Sequence, residues 1–450
     1  MVVGAILVET PYARFEWDPS MVFARHSSAG MSGSHSAMLS IAMWFAKRNW
    51  NVSLASNIKG DANPLMPQLQ YLRSGFKTEE CLTSMYDVAI VPNIWSTLTG
   101  WDRCKVRNLV VVMENQLLDG PSCGRIYAYL KKFTDTTRPR LSLLHLSPWG
   151  ESIYRKNAAG EAVMDPSFPM QKVMKLQMQR QCGFTLDSNV EHSASVFTNP
   201  LPIADIDAAA RFAQERNAHS FIFPACQERG GIMTARAFKR LKNEWGPRAR
   251  AQWAFYDEAT KESAELQKIL AAAGRGQHGE KTDPRVWAGV MSKPDLLQAM
   301  HESGFFLYGL VSSMGSVHYD TMGLAVAEAL AAGVIVLAPR IAALPSLYEE
   351  LVVWVQPPHG LTPLQQNATF MARDSSGLGS DAMVAEYIAA IHALLSDEGR
   401  MRKLRARGAR AMRQRFSETA IMSKLEGWVE SKMAAAVKGW PLTRRGPNAP

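Results

Sequence analysis

Gly304-Phe-Phe-Leu-Tyr-Gly-Leu-Val311 is an apolar run, Ser312 to Tyr319 interrupts it, and Asp320-Thr-Met-Gly-Leu-Ala-Val-Ala-Glu-Ala-Leu-Ala-Ala-Gly333-Val-Ile-Val-Leu-Ala-Pro339 follows. The pattern reads as strand, loop, helix, glycine stop and strand. Met322 to Pro339 carries one charge, Glu328, and is long enough to tempt a membrane-span reading. Gly333 divides it into an Ala-rich helical half and a Val-Ile-Val-Leu strand half, and Pro339 closes it. A helix with a glycine C-terminus and a buried strand is the better reading. The helix is expected to begin near Thr321 or Met322, where unpaired N–H groups and the helix dipole make an anion site. Gly323 permits close backbone approach, and Asp320 stands just before the helix. Glu328 has two readings. It is a solvated helix edge, or it is a carboxylate that accepts bonds from ligand hydroxyls, since burial without partners is costly.

Working outward, short apolar runs alternate with amphipathic segments of helix length. Strands are expected at 2–8, 51–55, 87–91, 108–113, 141–146, 220–224, 252–256, 304–311 and 333–338. Alternating β and α implies parallel sheets covered by helices, and runs apolar throughout suit strands buried on both faces. The alternation restarts near Ser220, after an extended connector at Thr198-Asn-Pro-Leu-Pro-Ile203. The expected fold is therefore α/β, with two doubly wound domains. The expected divisions are 1–205, 206–385, a basic helical region over 386–436 that breaks at Asp397-Glu-Gly399, and a frayed tail over 437–450. Ligands of open parallel sheets bind beyond the carboxyl ends of the strands, so chemistry is sought in the loops there.

Three such loops stand out. Phe221-Ile-Phe-Pro-Ala-Cys-Gln-Glu-Arg-Gly-Gly-Ile-Met233 is a strand, a glycine turn and a helix, and Arg229 is either an exposed turn residue or a phosphate ligand. Ala29-Gly-Met-Ser-Gly-Ser-His35 enters a helix and reads as a flexible loop or an anion site. Glu114-Asn115-Gln116 follows the strand ending at Met113.

The segment Asp320-x7-Glu328, with Gly323 and the following Ala-Ala-Gly-Val-Ile-Val, resembles the nucleotide-sugar motif of family 4 (group 1) glycosyltransferases of GT-B fold. That family commonly has Glu, an aromatic residue, Gly and a second Glu at this spacing. Here Asp320 replaces the first Glu and Met322 the aromatic. The resemblance implies two facing Rossmann-like domains, with terminal helices packing back on the first. It implies that Asp320 holds the donor sugar and Glu328 the nucleotide ribose. The diphosphate would lie on Arg229 and the helix start at Met322, Gly323 and Leu324, facing Gly33 and Ser34. Glu114 would stand near the reacting sugar. Arg229 is alone where the family has two basic residues. Implied with these is a hexosyltransferase that acts with retention. The donor would be a UDP- or GDP-linked sugar, the acceptor a glycan, lipid-linked or protein molecule, and no cofactor or metal is expected. A catalytically weak or inactive relative that binds a sugar nucleotide or glycan is the alternative.

Charge separates body from tail. The 450 residues carry 50 Lys+Arg and 41 Asp+Glu, a formal +9. From Arg400 onward there are 13 basic and 3 acidic residues, which leaves 37 basic and 38 acidic residues before it. The tail reads as a solvated helix packed by Met401, Leu404, Ala411 and Met412, or as a peripheral contact with an anionic membrane. Nucleic acid is disfavoured, because interleaved aromatics are lacking. Five cysteines without a Cys-x-x-Cys pair point to a reducing, cytoplasmic setting.

Overall fold

The computed structural model describes residues 4–9, 33–56, 69–73, 85–92, 104–113, 139–152, 190–193, 197–225, 230–255, 273, 284–309, 322–340, 343–355 and 378–439. Among them, the first sheet comprises β1 (Ala5–Glu9), β2 (Asn51–Ser56), β3 (Leu69–Arg73), β4 (Met85–Pro92), β5 (Lys105–Met113), β6 (Arg140–His145) and β7 (Val190–Ser193). Their order is β3-β2-β1-β4-β5-β6-β7, and each neighbouring pair is parallel. The second sheet comprises β8 (Asn217–Phe223), β9 (Arg250–Phe255), β10 (Val286–Val290), β11 (Ser303–Leu307), β12 (Ile335–Ala338) and β13 (Val353–Trp354). It runs β10-β9-β8-β11-β12-β13, again all parallel. Both sheets are doubly wound, as the alternating pattern requires.

The helices are α1 (Gly33–Lys47), α2 (Pro148–Ser152), α3 (Ile203–Ala210), α4 (Gly231–Trp245), α5 (Lys293–Glu302), α6 (Leu324–Ala331), α7 (Leu344–Tyr348), α8 (Leu378–Leu395), α9 (Glu398–Phe416) and α10 (Glu418–Gly439). All nine strands expected from apolar runs are present. The four unanticipated strands, β3, β7, β10 and β13, are the four sheet edges. Central strands are buried on both faces, as in β11 and β12. Edge strands such as β10 and β13 are short and partly exposed, so they leave no long buried run.

The terminal helices divide between the sheets. α9 lies against α6, where Gly408 is close enough that a Cβ would come within 3.3 Å of Leu330 Cδ2. α10 crosses back to the first sheet. There Glu426 accepts from Trp44 Nε1 (3.2 Å) and Trp50 Nε1 (3.4 Å) and pairs with Arg48 (3.1 Å). The expected break at Asp397 is real: its carboxylate caps α9 by accepting from Arg400 N–H at 2.8 Å. A second break, at Ser417, was not anticipated. It is where the two chain crossings meet, with Leu201 N–H donating to Phe416 O at 2.7 Å and Leu201 bridging Ser417 in parallel. That junction rests on a residue 216 positions earlier, which no local pattern reveals.

Two further expectations change. The helix of the decisive segment starts at Leu324, not at Thr321 or Met322, because Gly323 adopts a left-handed φ of 68° that ends helical geometry there. Cys104, buried just before β5, is disulfide-bonded, contrary to the expectation of reduced thiols. Cysteine spacing does not show which thiols a fold brings within bonding reach. No helix among the described residues is long and apolar enough to cross a membrane.

Candidate functional site

The second sheet winds from β8 outward to β10, then returns to β11 and winds the other way. The switch point therefore lies between β8 and β11, which pair directly. Beyond the carboxyl ends of these strands a doubly wound sheet leaves a crevice. Two helices begin there, α4 after β8 and α6 after β11.

Glycines set both helix starts. Gly230 has φ 112°, and a Cβ on it would lie 2.9 Å from Gly309 N. The turn after β8 thus packs backbone to backbone on the end of β11. Thr234 Oγ1 donates to Gly230 O at 3.0 Å and secures the turn. At α6, a Cβ on Gly323 would meet Leu344 Cδ2 at 3.1 Å. The first N–H groups of α6 lack intrahelical acceptors by helix geometry.

The segment between β11 and α6 is held at both ends by buried tyrosines. Tyr387 OH, from α8, donates to Tyr308 O at 2.6 Å. Tyr348 OH, at the end of α7, donates to Met322 O at 2.8 Å. Both side chains are fully buried, and burial raises the Tyr387 phenol above its ordinary range, so it stays a donor at any ordinary pH.

Glu328 is 5% exposed, which removes the solvated-edge reading. Lys293 Nζ donates to its Oε1 at 2.5 Å. Lys293 opens α5, just beyond the carboxyl end of β10, where Ser292 caps the helix by accepting from Asp295 N–H. The C-terminal ends of the same two helices are also joined. Arg216 donates to Met300 O and Ser303 O at the end of α5, and to Ala332 O at the end of α6 (2.7 Å). Burial, and then the charge of Arg405, lower the Arg216 guanidinium to about 10. α5 and α6 are thus tied by an ion pair from the start of α5 to the second turn of α6 and by a guanidinium fork at their C-terminal ends.

Of the residues singled out from sequence, Glu328, Met322, Gly323 and Leu324 come together at this switch point. Met322 is buried, and its carbonyl is taken by Tyr348. Gly33 and Ser34 form the first turn of α1, which follows β1 in the first sheet. Asp320, Arg229 and Glu114 lie outside the described residues. Sequence reasoning missed Lys293, Tyr348, Tyr387 and Arg216. A Ser-Lys-Pro-Asp helix start marks Lys293 only as a first-turn residue, and nothing local ties the other three to the segment they hold.

No protein-family model matches the chain, and no curated protein matches it in sequence. Solved structures share its fold over nearly its whole length. A sucrose-phosphate synthase from Thermosynechococcus elongatus is 12% identical with a TM-score of 0.61, over 96% of this chain and 100% of that one. An α,α-trehalose-phosphate synthase (UDP-forming) from Burkholderia vietnamiensis is 8% identical with a TM-score of 0.55, over 97% and 100%. HepE of Anabaena, in complex with UDP-glucose, is 12% identical with a TM-score of 0.53, over 95% and 100%. At such identities the likeness is one of fold: the chain has the GT-B architecture of two Rossmann-like domains.

Proposed function

We propose that the chain is a glycosyltransferase that takes its sugar from a nucleoside diphosphate sugar. The observation that carries this reading is Glu328, a carboxylate buried in an apolar helix beside the switch point and served by Lys293. A buried acid kept in this place suits hydroxyl recognition, and the UDP-glucose complex of a fold neighbour supports a nucleotide-sugar donor. The donor side comprises residues 206–385, the acceptor side 1–205, and 386–436 the terminal helices.

In this reading Glu328 accepts from the ribose hydroxyls. The first N–H groups of α6, at Gly323 and Leu324, together with Arg229, bind the diphosphate, and Gly33 and Ser34 face it from the acceptor side. Asp320 holds the sugar and Glu114 lies near the reacting carbon. The bond from the anomeric carbon to the diphosphate oxygen breaks, the acceptor oxygen takes its place with retention, and the acceptor's hydroxyl proton passes to the departing diphosphate. Negative charge grows on the leaving diphosphate, where a fixed guanidinium and oriented N–H groups stabilise it. Either a uridine or a guanosine diphosphate sugar fits, with a glycan, lipid-linked or protein acceptor.

The test is a panel of UDP- and GDP-sugars scored by thermal shift and by release of nucleoside diphosphate. One donor should stabilise the protein and be cleaved. Stabilisation without cleavage, with or without acceptors, would leave a binding protein in place of an enzyme, as the single basic residue at Arg229 allows. No stabilisation by any donor would overturn the reading.

A further inference from the structure

α9 carries eight basic residues and one acidic residue. Several are spent on the body of the protein. Arg413 pairs with Asp207 and donates to Ala331 O, Arg415 pairs with Glu350, and Arg402 stands 3.9 Å from Glu398. Arg405 is partly buried, and its charge is felt by Arg216. Four remain: Arg400, Lys403, Arg407 and Arg410 are exposed and make no ion pair among the described residues. Their spacing of three, four and three places them on one line of the helix, about 15 Å long at 1.5 Å per residue. The buried line, Met401, Gly408, Met412 and Phe416, is roughly opposite.

This ridge is rigid. Its helix is capped by Asp397, seated on Leu330 through Gly408, and fixed at its far end by Arg413 and Arg415. Along another side of α9 runs the segment from Asp207, which pairs with Arg413, to Arg216, which neighbours Arg405. Midway along that segment is Phe212, 70% exposed, preceded by exposed Arg211. An exposed Phe gains nothing from water. Of the aligned cations, Arg407 shares the field of Glu350, which Arg415 already pairs, and Arg400, Lys403 and Arg410 make no ion pair among the described residues.

We infer that the Arg400–Lys403–Arg407–Arg410 ridge and Phe212 form a docking face for an anionic lipid bilayer. The cations contact the headgroups and Phe212 enters the interface. Charge complementarity selects the partner, and a straight, convex ridge with one neighbouring aromatic suits a flat surface. A single-stranded nucleic acid needs a groove and several stacking rings. The inference is independent of the donor site, so donor binding serves as its control.

The experiment is co-sedimentation of the full chain with phosphatidylcholine vesicles, with and without 30% phosphatidylglycerol. Each near-surface cation contributes roughly fivefold in partitioning. At about 50 mM salt the protein should sediment with the anionic vesicles only, and about 500 mM salt should release it. Replacing Arg400, Lys403, Arg407 and Arg410 together by Ala should weaken sedimentation at least about a hundredfold, and Phe212→Ser about tenfold. Both variants should keep the parent Tm and nucleotide affinity. Equal sedimentation with neutral vesicles, no sedimentation with anionic ones, or undiminished binding by the four-site variant would overturn the inference. So would a gel shift with a nucleic-acid oligomer at lower protein concentration than the vesicles require.

Discussion

Lys293 Nζ, at the start of α5, and Glu328 Oε1, in the second turn of α6, are 35 residues apart in sequence and stand 2.5 Å from each other. The carboxylate is buried and the lysine side chain is 46% exposed. The pair therefore keeps a negative group stable inside an apolar helix while its cation stays at the solvent edge. Removing one partner of a fully buried pair costs about 3–5 kcal/mol. Exposure of the lysine reduces this to about 1–2 kcal/mol for Lys293→Met. Lys293→Met/Glu328→Gln should regain most of that loss, because no unpaired charge remains. Chemical denaturation of the single and double variants reads this coupling directly.

The tyrosine bonds at Tyr308 O and Met322 O bracket the segment 309–321. Tyr387→Phe and Tyr348→Phe each leave a buried carbonyl without its donor, at about 1–3 kcal/mol. In the proposed enzyme, residue 320 lies inside this bracket and Glu328 outside it. Turnover should fall about tenfold or more while nucleotide affinity changes less than about threefold. Comparing kcat with nucleotide Kd in both variants separates this from general destabilisation, which would lower neither selectively.

Gly323→Ala places a Cβ 3.1 Å from Leu344 Cδ2 on a backbone with φ 68°. The left-handed conformation alone costs about 1–2 kcal/mol for an L-residue. The variant should lower Tm and weaken nucleotide binding together, since the first turn of α6 must shift. Gly230→Ala should be worse, because its new Cβ would meet backbone, Gly309 N, at 2.9 Å.

His301 bonds Ile206 O at 2.8 Å, which makes its Nε2 the donor. Its pKa is lowered from 6.5, first by burial. A lowered folded pKa means that the unfolded chain takes up the proton first as pH falls. The contribution of His301 to stability is thus complete above about pH 6.5 and is lost as pH drops from there toward its folded pKa. Thermal melts between pH 7.5 and 5 should show this loss, and His301→Gln, which keeps a donor, should flatten part of it. His219 shifts in the same direction, also first by burial, and accounts for some of the remainder.

Much of the fold was legible because buried parallel strands are apolar on both faces. Val110, Leu143, Phe306 and Val336 each belong to a run that water could not tolerate. The edges were not legible, because Leu69–Arg73 and Val190–Ser193 include exposed positions, Gln70 and Glu191, and their pairing comes from neighbours distant in sequence. Gly333 could be read as a helix stop, and it does have φ 79°. Gly323 could be read only as permitting close approach, since whether a glycine precedes, enters or ends a helix depends on φ. Glu328 was legible as an anomaly in an apolar helix. Its lysine was not, because partners on adjacent helices follow from the order of strands and not from spacing.

The ribose assignment is tested most directly by titrating the chain and its Glu328→Gln variant with a nucleoside diphosphate and with the same nucleotide lacking both ribose hydroxyls. The hydroxyls and the carboxylate should be coupled. The parent should lose at least about tenfold in affinity for the deoxygenated nucleotide, and Glu328→Gln should bind both forms within about twofold of each other. Equal affinity of the parent for both nucleotides, or an undiminished preference in Glu328→Gln, would contradict the placement of the donor beside Glu328.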